Sequence, residues 1–141
     1  AGQLCFSNMA SYNVAKFGVV ALSESIADET AGTGVNVSCL CPGFVATKIA
    51  DSRRNLPENM AVLQPEPTEE EEAIRQMVLE AFSHQKPPAE VAQLVVDAII
   101  SEQFWIMTDD VFQPRMAARH AGILAAKNRP QLGGLWEVFN E

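Results

Sequence analysis

The sequence has one tyrosine, two histidines and three cysteines, and each scarcity closes off some chemistry. His84 and His120 stand far apart with no partners at ligand spacing, so no metal site is expected. Cys5, Cys39 and Cys41 cannot all pair, and Cys39 and Cys41 are too close in sequence for a disulfide framework. Reduced thiols and a cytoplasmic location are the expectation. Basic residues are few: 10 Lys and Arg against 18 Asp and Glu give a net charge of −8. That balance argues against nucleic acid as a partner, because such binding needs clustered cations to displace counterions. No apolar run approaches the ~20 residues that span a bilayer, so no membrane partner is expected. The most apolar stretch, VAQLVVDAII (Val91 to Ile100), is short and contains Asp97. The opening AGQLCF has neither an initiator methionine nor a basic segment leading into an apolar one. The chain therefore reads as a single-domain fragment, 1–141, of a longer protein; its length suits one hydrophobic core and not two.

What is present alternates between helical and strand patterns. Val14, Gly18, Ala21, Leu22, Ser25 and Ile26 recur at three- and four-residue steps, predicting a helix from Ser11 to Ala31. Gly32 or Gly34 supplies the left-handed cap that ends it. This G-x-G follows a helix and lacks a third glycine, so it is not a dinucleotide fingerprint. VNVSCLC (Val35 to Cys41) reads as a buried strand stopped by Pro42 and Gly43, with Cys39 and Cys41 on one face as packed thiols. A polar loop is expected from Ala46 to Pro67. Thr68 and Glu71 then form a capping box that opens an acidic helix start, better explained as a solvated terminus than as a carboxylate metal cluster. Beyond Pro87-Pro88 come a helix with Val91, Leu94, Val95, Ala98 and Ile99 on one face, a strand at Phe104 to Thr108, and a helix from Pro114 to Lys127 before NRPQLGG loosens the tail. Helix, glycine turn, strand and loop in this order suggest an α/β parallel sheet.

The sharpest feature is SYNVAKFG. Tyr12 and Lys16 are four residues apart, hence on one helix face one turn from each other. A free phenol titrates near pH 10, and bringing one to neutrality takes roughly 4 kcal/mol. A nearby ammonium favours the phenolate, but an exposed pair in water supplies less than that, so such a device calls for a sheltered site with further positive charge. By itself Y-x-x-x-K is common on helices.

Its surroundings make it specific. The order SYNVAKFGVVALSESIADE, glycine turn, VNVSCLCPGFVATKI resembles the second half of the short-chain dehydrogenase/reductase domain. The family's Y-x-x-x-K falls on Tyr12 and Lys16, and its P-G-x-[IV]-x-T on Pro42, Gly43, Val45 and Thr47. The tail from FWIMT to KNRP is similar as well, so the resemblance covers essentially the whole chain. It implies the C-terminal part of a Rossmann-type, doubly wound parallel sheet and an oxidoreductase using NAD or NADP on a small alcohol or carbonyl. Tyr12 would then be the acid/base, with Lys16 depressing its pKa and binding the nicotinamide ribose. The Val45 backbone and Thr47 hydroxyl would hold the carboxamide and nearby phosphate, and Pro42 and Gly43 would let the chain approach the ring. Residues from about Ile49 to His84 would form a substrate lid.

The resemblance also has gaps. The family's substrate-polarising serine lies about thirteen positions before the tyrosine, just ahead of Ala1, and its further asparagine and glycine-rich phosphate loop are likewise absent from these residues. Ser7 and Ser11 have the wrong spacing and read as turn or N-cap residues, and neither Asn8 nor Asn13 replaces the asparagine. The chain alone is therefore expected to be inactive. Met9, Phe44, Met60, Phe82 and Phe112 suit a substrate cavity or simple packing equally. In family dimers the Tyr-Lys helix packs on its symmetry mate. The resemblance thus implies a homo-oligomer through that helix and leaves a rival reading, a non-catalytic interaction fragment. An enzyme outside the family, with Tyr12 incidental, is the third reading.

Overall fold

Helix formation follows the apolar periodicity and the caps. The computed structural model describes residues 2–49, 54–61 and 66–126, in the order α1 (Ala10–Glu29), β1 (Cys39–Cys41), α2 (Glu58–Ala61), α3 (Glu69–Ser83), α4 (Pro88–Ile100), β2 (Trp105–Met107) and α5 (Gln113–Leu124). Gly32 and Gly34, with φ of 76° and 85°, turn the chain after α1 as expected of left-handed glycines. Thr68 caps α3 in a full capping box: its hydroxyl accepts from the Glu71 N–H, and the Glu71 carboxylate accepts from the Thr68 N–H. Four glutamates fill the first turn of α3, where the helix dipole favours them. The last helix, expected to run to Lys127, ends at Leu124 with Ala125 as its C-cap, while part of the loop expected over Ala46 to Pro67 and the residues from Lys127 on lie outside the described residues.

The two strands pair in parallel, Cys39 opposite Trp105, Leu40 opposite Ile106 and Cys41 opposite Met107. β1 is shorter than the Val35 to Cys41 strand read from the sequence. Only residues facing β2 find backbone partners, the first being the Cys39 N–H, which donates to the Phe104 carbonyl at 2.7 Å. Ahead of it the Ser38 hydroxyl donates to the Gln103 carbonyl, and Val35 is exposed. Cys39 and Cys41 are buried and Leu40 is exposed, the one-face alternation expected of the two thiols. The stretch read as loop also contains the single turn α2.

The chain divides into two compact units, one drawn from Ala1–Gly43 and Leu94–Glu141, the other Phe44–Gln93. In the first, Leu4, Phe6, Cys39, Cys41, Ala98 and Ile106 form the buried core, and Phe6 meets Phe112 edge to face with centroids 6.1 Å apart. In the second, Val78, Phe82 and Val91 are buried, and Phe44 packs edge to face on Phe82 at 5.3 Å. Val45 forms an isolated parallel bridge with Lys86 there, the Ala46 N–H donating to the Lys86 carbonyl at 3.0 Å.

The face that α1 buries differs from the predicted stripe. Asn13 is buried and Phe17, Val20, Ser23 and Ala27 are half-buried, whereas Val14, Leu22 and Ile26 lie exposed. A polar anchor decides the rotation: the Asn13 amide holds the backbone of Phe6, and α1 turns to bring it there.

Candidate active site

Tyr12 and Lys16 occupy the first two turns of α1, whose start is Met9 with no side-chain cap. Ser11 thus lies inside the helix instead of capping it, and Ser7 sits in the preceding turn as expected. The Lys16 ammonium stands 5.5 Å from the centroid of the Tyr12 ring, within cation–π range. Both side chains are exposed, Tyr12 by 37%, so among the described residues the pair has no sheltered pocket.

The helix carrying them is fixed from two sides. Asn13 Nδ2 donates to the Phe6 carbonyl at 2.8 Å, and its Oδ1 accepts from the Phe6 N–H at 3.4 Å. Gly2, at φ 88°, lies against α1 so closely that a Cβ there would come within 2.9 Å of the Lys16 carbonyl and 2.8 Å of Val20 Cγ2. On the neighbouring face the Arg119 guanidinium of α5 stacks 5.0 Å from the Phe17 centroid. Asn13 was legible only as an asparagine beside the tyrosine; its partner is a backbone group, which leaves no trace in side-chain patterns.

Because β1 and β2 run parallel, the turns that leave their carboxyl ends lie side by side. The Gly43 N–H donates to the Thr108 hydroxyl at 2.9 Å, and that hydroxyl donates to Asp109 Oδ2 at 2.8 Å. Asp109 Oδ1 in turn accepts from the Val111 N–H at 3.2 Å, just ahead of α5. The space a Cβ would need at Gly43 is already filled by the Asp109 carboxylate. A side chain at 43 would therefore have to displace the Asp109 carboxylate, a constraint that nothing in P-G-x-V-x-T discloses. Pro42, Gly43 and Asp109 line a small solvent-open hollow with Leu4, Phe112 and Met116 among its apolar walls. Phe112 is thus the one of the five candidate cavity residues found there; Phe44 and Phe82 pack on each other, and Met60 is exposed.

Val45 and Thr47 belong to the second unit. The Val45 carbonyl accepts from the Thr47 N–H at 2.7 Å, and the Thr47 hydroxyl accepts from the Ile49 N–H at 3.4 Å. Thr47 is exposed, and this bond leaves its O–H proton for another acceptor. Burial, and then the adjacent Cys39, push the Cys41 thiol up to about 11. Among the described residues no group of three His, Cys, Asp or Glu could hold a metal ion, and no helix is long and apolar enough to cross a membrane.

A sequence model of the short chain dehydrogenase family matches residues 1–57. A 3-oxoacyl-[acyl-carrier-protein] reductase of Synechocystis sp. is 36% identical over 52 residues, 37% of this chain and 21% of that protein. A short-chain dehydrogenase/reductase of Penicillium rubens is 44% identical over 41 residues, covering 29% and 14%. The matched stretches therefore span 21% or less of these two relatives. Among solved structures, a short chain dehydrogenase/reductase from Burkholderia phymatum in complex with NAD superposes with a TM-score of 0.74 at 32% identity, over 92% of this chain and 47% of that one. The likeness accounts for the parallel pair and its flanking helices as part of an α/β Rossmann sheet.

Proposed function

Since the chain belongs to the short-chain dehydrogenase/reductase family, we propose that it is the C-terminal half of an NAD(P)-dependent oxidoreductase acting on an alcohol or carbonyl. The observation that carries this reading is the Tyr12–Lys16 pair, a phenol and an ammonium 5.5 Å from ring to nitrogen on the open face of a helix fixed from behind. Its donor set suits a nicotinamide ribose and a substrate oxygen: Lys16 offers three N–H bonds to sugar hydroxyls, and Tyr12 one transferable proton. When bound, the nicotinamide supplies the hydride exchange at carbon. In carbonyl reduction the Tyr12 hydroxyl gives its proton to the substrate oxygen as hydride reaches the carbon, and the resulting phenolate is reprotonated from solvent. Lys16 holds the ribose and stabilises that phenolate. Pro42 and Gly43 present backbone to the ring, while the Val45 backbone and Thr47 hydroxyl bind the carboxamide and the adjacent phosphate.

The second unit, Phe44–Gln93, begins directly after the Pro42–Gly43 turn and contains the residues assigned to the substrate lid, about 49–84. The 141 residues carry no glycine-rich strand–turn–helix to hold the pyrophosphate, so on their own they are proposed to be inactive. The exposed Val14, Leu22 and Ile26 on α1 favour association of two copies through that helix, and with it the second reading, an interaction fragment without catalysis.

The test is Tyr12→Phe and Lys16→Ala in the complete enzyme. Tyr12→Phe is expected to lower kcat by on the order of 10²–10⁴ with nucleotide affinity retained, the size of a lost general acid. Lys16→Ala should weaken nucleotide binding as well. Undiminished turnover by Tyr12→Phe would reject the assignment. A wild-type protein that associates through α1 without any turnover is the result the second reading requires.

A further inference from the structure

The Thr108 hydroxyl connects the end of β2 with the turn leaving β1, and its proton direction is determined. An amide N–H can only donate, so Thr108 Oγ1 accepts from Gly43 at 2.9 Å. Its own proton is thereby directed to Asp109 Oδ2 at 2.8 Å. Thr108 is buried, with 7% of its surface accessible, and Asp109 is itself pinned by the Val111 N–H. The four groups form one relay of bonds, from the turn after β1 through β2 to the start of α5.

We propose that Thr108 is a positioning residue that holds the Pro42–Gly43 turn in its nucleotide-receiving shape; the nucleotide rests on the function proposed above, the tether does not. Pro42 fixes only its own φ, and Gly43 has the widest backbone freedom of any residue. A glycine that must keep one conformation beside a ligand needs an external restraint, and the Gly43–Thr108 bond supplies it. A valine at 108 keeps the volume but can neither accept from Gly43 nor donate to Asp109, whereas a serine can do both.

Amide hydrogen exchange at Gly43 in the protein, compared among wild type, Thr108→Val and Thr108→Ser, reads the tether without any cofactor. The valine variant is expected to exchange Gly43 about tenfold faster or more, with the serine variant close to wild type. The amide of Ile106, in the buried strand, is the internal reference. Unchanged exchange at Gly43, or equal acceleration at Ile106, would overturn the proposal, the latter by reducing Thr108 to a general structural role. In the complete enzyme, fluorescence titration with NADH is expected to give a Kd about 2- to 10-fold higher for Thr108→Val, the range for one lost hydrogen bond, and to be restored by serine. An unshifted Kd in the valine variant refutes the positioning role and leaves the proposed function standing. A wild-type enzyme that binds no nicotinamide nucleotide refutes the function and this role together, while the exchange result alone decides the tether.

Discussion

Asn13 grips the backbone of Phe6 with both ends of its amide, donating from Nδ2 to the carbonyl at 2.8 Å and accepting at Oδ1 from the N–H at 3.4 Å. The residue beside it in sequence is Tyr12. A buried polar side chain thus sets the rotation of α1, and through it the face on which Tyr12 and Lys16 stand.

Removing that grip should be felt in stability first. Asn13→Ala leaves the Phe6 N–H and carbonyl with lost partners, which costs about 1–3 kcal/mol. Asn13→Asp, as a carboxylate, replaces the Nδ2 donor with an acceptor facing the Phe6 carbonyl, and should be at least as damaging at neutral pH. Urea midpoints of the two variants check this. A midpoint of Asn13→Asp equal to that of wild type would mean that the bond to the carbonyl contributes nothing.

The cysteines make a prediction about pH. Cys39 and Cys41 are buried with their sulfurs 4.0 Å apart, while Cys5 is only half-buried. With the Cys41 thiol at about 11, its thiolate is roughly one part in a thousand at pH 8, so iodoacetamide should modify Cys5 in the native protein and reach Cys41 only on unfolding. The linkage has a definite sign. The unfolded thiol loses its proton near its ordinary value of 9.0, before the folded one, so the native state binds more protons above that point. Stability should therefore be unaffected by this group below about pH 9 and fall as pH rises from there towards 11. Mass spectrometry of timed alkylation settles the order of modification. Comparison of Cys41→Ser with wild type across pH 8 to 11 isolates the slope.

Much of this molecule was legible because its signals are local. The capping box at Thr68 and Glu71, the glycine stop after α1 and the one-face burial of Cys39 and Cys41 depend on neighbours in sequence, and each stands where the pattern put it. The rotation of α1 and the length of β1 were not legible. The first depends on a side chain meeting a distant carbonyl, and the second on how many residues β2 offers in register. The site divides in the same way. The Tyr12–Lys16 spacing is fixed by the helix repeat, while the Thr108–Asp109 bonds behind Gly43 exist only because two parallel strands end together.

That last relationship gives a prediction in which two substitutions must not add. A methyl group at 43 would overlap the Asp109 carboxylate, which cannot swing away without giving up the Thr108 hydroxyl and the Val111 N–H. Gly43→Ala should accordingly cost about 1–3 kcal/mol, the usual range for overpacking. Asp109→Ala loses the two bonds but opens the space that the new methyl needs. If the clash is the reason for glycine, the double variant will be more stable than the sum of the single effects predicts, by about 1 kcal/mol or more. Gly43 has no positive φ, so the backbone freedom that Gly43→Ala removes belongs to the unfolded chain; that part is independent of residue 109 and cancels in the cycle. Urea unfolding of the four proteins supplies the measurement. Strict additivity would assign the glycine to the ligand side of the turn, and would remove Asp109 from its explanation.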